Sequence, residues 1–431
     1  MRSHFIPKLF LATLFLSIFA IEANAQKVIP TDTSKTIELR VDPANAMGGN
    51  ASEIFESVSY IPLETTKEST FGRIEQLEVT EDRFIILDEN TNCILLFKKD
   101  GKFVAKIKGG DKKFPGSPMF DFSVRIYDFK VNRWTKEIMF TSVDTKTHIW
   151  TYHFYDFDGK KVRDIVRGSK DPQFDDGMFI GKDLLVTASN LNDNKEDGVG
   201  TRHQVEYIRD LKEIRYRGFP YQVKGLEVDG DIMGVASGPL FYYGNDTAVF
   251  YTKHHDYNIF RLTPHTIQRA YKLILPMVNV LPSDIITNSN YKDKRMKYLK
   301  EHPDAIYGLG NCFLTGNNLT FKATSSMGQS KLSTIIYNLK SGSAIGLGHI
   351  TTDELSYFLP VADDRMYSYT GFVASDGKNL YSSFSSITMF QAHEANQNKG
   401  IKYNQVLNDY FNKGKKEDNP VLVQIKVKDD L

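Results

Sequence analysis

Cysteine and tryptophan are scarce, with two of each in 431 residues. So few cysteines exclude a disulfide scaffold and any zinc cluster built on cysteine alone. Neither sign of charge is in excess, because 54 Lys+Arg face 53 Asp+Glu. A chain so balanced offers no field for nucleic acid or for an anionic membrane surface. Common enzyme signatures are missing too: there is no H-E-x-x-H, no G-x-S-x-G and no phosphate-binding loop. No apolar run is long enough to span a bilayer. What remains is a folded composition, 41% hydrophobic and 25% charged. It is rich in aromatics, with 29 Phe and 22 Tyr, residues that favour strands.

The N-terminus reads as an address. Arg2 and Lys8 flank the start of an apolar run, Leu9 to Ala20, which is followed by Ala23-Asn24-Ala25. A positive start, a short apolar middle and small residues before the cut define a secretory signal cleaved after Ala25. Its removal takes away Arg2, Lys8 and Glu22, which leaves the mature chain formally neutral. Cys93 and Cys312 both lie far from the cut, so a lipoprotein anchor has no attachment point. Both sit in apolar runs and are expected to be buried and unpaired. The expected location is periplasmic or extracellular. Residues 26–50 read as a flexible leader, with Met47-Gly48-Gly49-Asn50 as a linker.

From residue 51 to 431 the chain repeats, which argues for one large domain. The clearest unit, residues 74–108, parses as four strands, the last two joined at Asp100-Gly101, a hairpin turn. Asp158-Gly159 occupies the same place in the second unit, residues 122–166. Further units cover 178–219, 236–275, 308–348 and 365–428, and the sixth lacks its last strand. Phe55–Glu64 alternates apolar and polar residues and has no unit of its own. Letting it complete the sixth sheet closes a ring and leaves only short, protected edges. The fold predicted is therefore all-β: a six-bladed β-propeller of four-stranded antiparallel blades, closed by the N-terminal strand. Helical insertions are expected near 283–301 and 389–413.

The quoted segments carry a family likeness. Tyr60-Ile61-Pro62-Leu63-Glu64-Thr65, Arg83-Phe84-Ile85-Ile86-Leu87-Asp88, Ile94-Leu95-Leu96-Phe97 with Asp100-Gly101, and Gly109-Gly110 before Phe114-Pro115-Gly116 stand in the first unit and its surroundings. In these residues the chain resembles the exported six-bladed propellers common in Bacteroidetes, which are NHL-like. The resemblance implies fold and export and transfers no catalytic residues.

In such a ring the links between blades and the turns joining second and third strands emerge on one face. The long insertions fall there, so that face is expected to be the working one. Candidate polar residues on it are Asp88, Asn92, Asp144, His148, His254 and His255, with Asn192, Asp193 and Asp256 beside them. Carboxylate and imidazole groups at a channel mouth are the chemistry of a Ca²⁺ or Zn²⁺ site. The plainer reading is turn chemistry, which favours Asp and Asn anyway. Adjacent strand residues point to opposite faces, so His254 and His255 cannot share an ion within a strand. No cofactor is expected. Aromatics in the loops, among them Phe114, Phe120, Phe174, Phe219, Tyr221, Tyr307, Tyr357 and Phe358, suit sugar stacking or a protein partner, or else cap the core.

The function expected is a non-catalytic binding module for a glycan, a peptide or a cell-envelope protein, acting as a monomer. Its rivals are a metal-assisted lyase or hydrolase at the channel mouth and a scaffold in an envelope assembly.

Overall fold

The computed structural model describes residues 27–431 except 111–123, 145–146, 173–175, 189–200, 223–240, 246–247, 254, 286–287, 326–333 and 364–369. The expected signal and its cleavage site lie outside the described residues, as do Phe114, Phe120, Phe174, Asn192, Asp193 and His254.

Six sheets form the blades of a β-propeller. In blade 1 the strands, A to D from the channel outward, are Gln76–Val79, Arg83–Asp88, Cys93–Lys98 and Phe103–Lys108. Strands B and C of this blade are buried almost throughout because both faces meet a neighbour. The pleat divides them: Phe84 and Ile86 pack with Tyr381 and Leu422 of blade 6, while Ile85 and Leu87 pack with Phe129 and Ile138 of blade 2. The expected hairpin turns are present, with Gly101 at φ 85° and Gly159 at φ 74°, a region glycine enters at little cost.

Blade 2 runs Lys130–Asn132, Glu137–Val143, Trp150–Asp156 and Lys161–Val166. Blade 3 runs Gly177–Phe179, Leu184–Ala188, Thr201–Arg209 and Glu213–Gln222. Blade 4 runs Phe241–Asn245, Ala248–Thr252, Asn258–Leu262 and Ile267–Ile274. Blade 5 runs Ile306–Thr315, Asn318–Ser325, Thr334–Asn338 and Ala344–Thr351. Blade 6 takes Ala374–Ser375, Leu380–Phe384 and Val421–Val427 from the C-terminal end of the chain and Phe55–Pro62 from the N-terminal end. That last strand pairs antiparallel with Val421–Val427, from Pro62 opposite Val421 to Phe55 opposite Val427. The ring closes as predicted.

Residues 27–50, read from sequence within a flexible leader, are ordered strands. From Lys27 onward they lie along the outer edge of three blades as a belt. Lys27–Ile29 pairs parallel with strand D of blade 3, Thr31–Asp32 and Ile37–Arg40 with strand D of blade 4, and Met47–Asn50 with strand D of blade 5. Ile29, Leu39 and Val41 of the belt are buried against the blades. The two glycines read as a linker serve another purpose. A side chain at Gly48 would stand 2.5 Å from the His349 carbonyl oxygen, so glycine there permits close backbone approach.

Connections alternate as antiparallel pairing demands. A-to-B and C-to-D turns are tight, and the inserts fall on the opposite face. The helix Arg295–Glu301 lies in the link from blade 4 to blade 5, and Ser386–Ala395 and Gln405–Lys413 lie between strands B and C of blade 6. The last two start on caps, with Thr388 N–H donating to Ser385 Oγ and Leu407 N–H to Asn404 Oδ1.

Closure and belt make separable contributions. Deleting Phe55–Pro62 is expected to abolish cooperative folding, because blade 6 loses its outer strand and the ring its seal. Deleting 27–46 is expected to leave a folded protein with a lower Tm, since blades 3 to 5 keep four strands each. Leu39→Ala alone is expected to cost about 2–5 kcal/mol in urea unfolding.

Candidate functional site

The inner strands of the blades enclose a cavity of about 630 Å³ at the channel. It lies towards the insert-bearing face, because its lining includes Glu75 and Glu89 at the upper ends of blade 1 and Thr141 and Trp150 where blade 2 turns from strand B to C. The walls are largely apolar, with Leu77, Phe129, Val131, Met178, Phe313 and Val373. A cavity of this size, with apolar walls and polar groups set among them, is the usual form of a small-ligand site.

Its polar groups are built on fixed supports. The Gln76 amide bridges two inner strands, donating from Nε2 to the Phe129 carbonyl at 2.8 Å and accepting the Phe129 N–H at 3.0 Å. Asn311, at φ 47°, donates to the Phe372 carbonyl of the next blade at 2.9 Å. Glu78 meets Arg133 at 3.1 Å. Burial pushes the Glu78 carboxyl up and the Arg133 guanidinium opposes that shift. Lys130, only 5% exposed, pairs with Asp128. A buried ammonium needs such a partner, because an unpaired charge there is costly. Tyr242 lines the cavity and is 5% exposed, and burial pushes its hydroxyl well above the ordinary tyrosine value against a bond with the Asn311 backbone.

At the rim, Arg73 Nε donates to Glu75 Oε1 at 2.6 Å, and the other Glu75 oxygen accepts the Glu89 N–H at 3.2 Å. Burial raises the Glu75 carboxyl against these bonds. Arg125 reaches Glu89 at 3.3 Å and stands 5.5 Å from the centre of the Tyr127 ring. Tyr127 is 56% exposed and lines the cavity together with Trp150. Aromatic faces and carboxylates therefore share one rim.

The residues proposed from sequence do not build this site, and none of those described lines the cavity. Asp88 is fully buried and accepts the Thr91 hydroxyl. Asn92, at φ 52°, is a staple: Nδ2 donates to the Val124 carbonyl at 2.7 Å and Oδ1 accepts the Ile126 N–H at 2.8 Å. It ties blade 1 to the segment that enters blade 2. Asp144 caps its own turn by accepting the Thr147 N–H at 2.8 Å, and His148 in that turn is exposed with φ 55°. His255 has φ 58° and donates its N–H to the Tyr307 carbonyl at 2.7 Å. Tyr307 is buried with Leu281 and Leu299 beneath the blade 4 to 5 link. Tyr357 packs 5.7 Å from Tyr403 among the inserts, and Phe219 packs 4.7 Å from Phe260. Tyr221 is in strand D of blade 3, and its side chain lies outside the described residues. Asn92 and Asp144 serve their turns, and Tyr307 and Phe219 pack in the core. Among the described residues no three of His, Cys, Asp and Glu stand close enough to hold a metal ion. Cys93 and Cys312 are buried and unpaired. No helix among the described residues is long and apolar enough to cross a membrane.

The fold has a counterpart among known structures. The chain belongs to the family described as a domain of unknown function, DUF4934, whose model matches residues 34–426. The match takes in most of the belt. A crystal structure of a Bacteroides fragilis protein described as exported is 15% identical with a TM-score of 0.64, covering 91% of this chain and 100% of its own. That likeness shows a shared fold. A member of the DUF4221 family from Bacteroides vulgatus is 10% identical with a TM-score of 0.43, covering 87% and 97%. An oligogalacturonate lyase in complex with manganese is 9% identical with a TM-score of 0.36, covering 85% and 78%. These two are too distant to carry an argument. No curated protein matches.

The staple gives a test of the turn assignment. Asn92→Ala removes its side-chain hydrogen bonds and leaves a left-handed backbone that alanine resists. It is expected to cost about 2–4 kcal/mol in chemical denaturation. Ligand binding at the cavity is expected to survive in the folded fraction.

Proposed function

We propose that this protein is an exported binding propeller whose central cavity takes the end of a glycan chain and binds it without chemistry. The observation that carries the reading is the rim, where the exposed Tyr127 and the Trp150 ring stand beside Glu75, Glu89 and Asp128 above apolar walls. Sugar rings present apolar C–H faces that stack on aromatics, and hydroxyls that donate to carboxylates. Tyr242 adds a phenol to the lining. A cavity of about 630 Å³ admits a terminal unit or two rather than a chain laid through it. Export rests on the N-terminal segment ending at Ala25 and on the description of the Bacteroides fragilis relative.

A glycan array followed by calorimetric titration tests this. Saturable binding of one glycan class is expected. Tyr127→Ala and Trp150→Ala are each expected to weaken it about three- to tenfold, the scale of one stacking contact. Binding untouched by both substitutions, or selection of peptides in place of sugars, would overturn it.

A further inference from the structure

Away from the cavity, three side chains of blade 2 stand in line across strands B, C and D. Ser142 Oγ is 2.7 Å from His153 Nε2, and His153 Nδ1 is 2.8 Å from Asp164 Oδ1. The pleat puts all three on one face of the sheet, since Ser142 is diagonal to His153 and His153 is directly opposite Asp164. Nothing in the sequence flagged them, for they are spread over three strands and match no motif.

The proton positions follow from the partners. Burial pushes the Asp164 carboxyl up, but bonds from Lys161 and His153 outweigh it and hold it below the usual carboxylate range. It is therefore an anion near neutrality and only accepts. His153 Nδ1 must then carry the proton it donates, and in the neutral ring this leaves Nε2 as an acceptor. In that tautomer the Ser142 hydroxyl is the donor to Nε2. Lys161 Nζ holds the second Asp164 oxygen at 2.7 Å, and the Phe140 ring packs 4.9 Å from the imidazole. Carboxylate and imidazole are thus fixed from two sides. A pair of polar side chains across a sheet can satisfy each other, but a serine hydroxyl aimed at an imidazole oriented by a carboxylate is the arrangement that activates a nucleophile.

The place is accessible on one side. Phe140 and Tyr155, on the same face, pack into the seam with blade 1. Further out the face opens: the His153 side chain is 15% exposed, that of Asp164 37%, and Val166 62%.

We propose that Ser142, His153 and Asp164 form an acyl-transfer centre for small activated esters, with Ser142 as nucleophile, His153 as general base and Asp164 as the positioning residue. Ser142 Oγ forms a bond to the ester carbonyl carbon as its proton passes to His153 Nε2. The ester C–O bond breaks, and the leaving alcohol takes that proton. Water then adds to the acyl carbon, again giving a proton to His153. The acyl–Oγ bond breaks and Ser142 recovers its proton, so acid and alcohol are the products. A small apolar acyl group suits the exposed Val166, two residues beyond Asp164 on the same strand face. Activated esters suit a serine on a regular strand, because a good leaving group needs least help with the negative charge on oxygen.

The test treats the full mature protein with a fluorophosphonate probe and locates the adduct by peptide mass spectrometry. A single adduct on Ser142 is expected, with none in Ser142→Ala. His153→Ala is expected to slow labelling about a hundredfold, the usual scale for a general base, and free imidazole is expected to restore part of the rate. Asp164→Asn is expected to slow it, with partial recovery in Asp164→Glu. Circular dichroism and Tm identify variants that keep the fold. Folded protein that takes no label, labelling that persists in Ser142→Ala, or a Ser142 adduct indifferent to His153→Ala would each overturn the assignment.

Discussion

Each blade has two apolar faces and can cover neither by itself. Phe84 needs Tyr381 of blade 6, and Ile85 needs Phe129 of blade 2. That dependence runs round the ring and ends at the pairing of Phe55–Pro62 with Val421–Val427. Those strands come from opposite ends of the chain, so their contact closes a loop that takes in nearly the whole propeller. The entropic cost of such a loop grows only slowly with its length. In return the faces between blades leave water, and blades 1 and 6 pack against each other as the other neighbours do. The belt extends the same principle outward. It brings Ile29, Leu39 and Val41 onto the blades and gives three outer edges a further strand.

The cavity is a consequence of the ring. Six inner strands set around an axis cannot fill it with side chains alone, and the space left takes its character from what those strands point inward. Here that is largely apolar surface, with polar groups among it that neighbours on adjacent blades hold in place. Gln76 and Asn311 each spend their amides on a neighbouring blade's backbone. They fix the wall geometry, and Tyr242 adds a buried phenol to the lining.

Much of the fold was legible in local pattern. Asp100-Gly101 and Asp158-Gly159 mark hairpins because a glycine there tolerates a backbone that other residues resist. The orphan strand Phe55–Glu64 and the incomplete sixth unit together pointed to closure. The helical inserts could be assigned to one face because antiparallel order fixes where each link emerges. The belt was misread because glycine serves two purposes, and the sequence around Gly48 does not distinguish freedom from tight contact. Asp88, Asn92, Asp144 and Tyr307 were visible as polar or aromatic residues near turns, and they stabilise those turns and the core. The cavity wall escaped notice for the opposite reason. Glu75, Asp128, Trp150 and Tyr242 come from different strands and repeats, and each looks ordinary in its own segment.

What the amino-acid order determined by itself is the set of repeats, their turns and the closing strand, since each rests on patterns a few residues apart. Tertiary structure alone decided which side chains meet. The rim of Tyr127 and Trp150, the buried pairing of Lys130 with Asp128, and the line from Ser142 to Asp164 exist because strand register and ring curvature set them side by side. Register is a property of the paired backbone, and a shift of one residue would turn each strand's side chains to the other face.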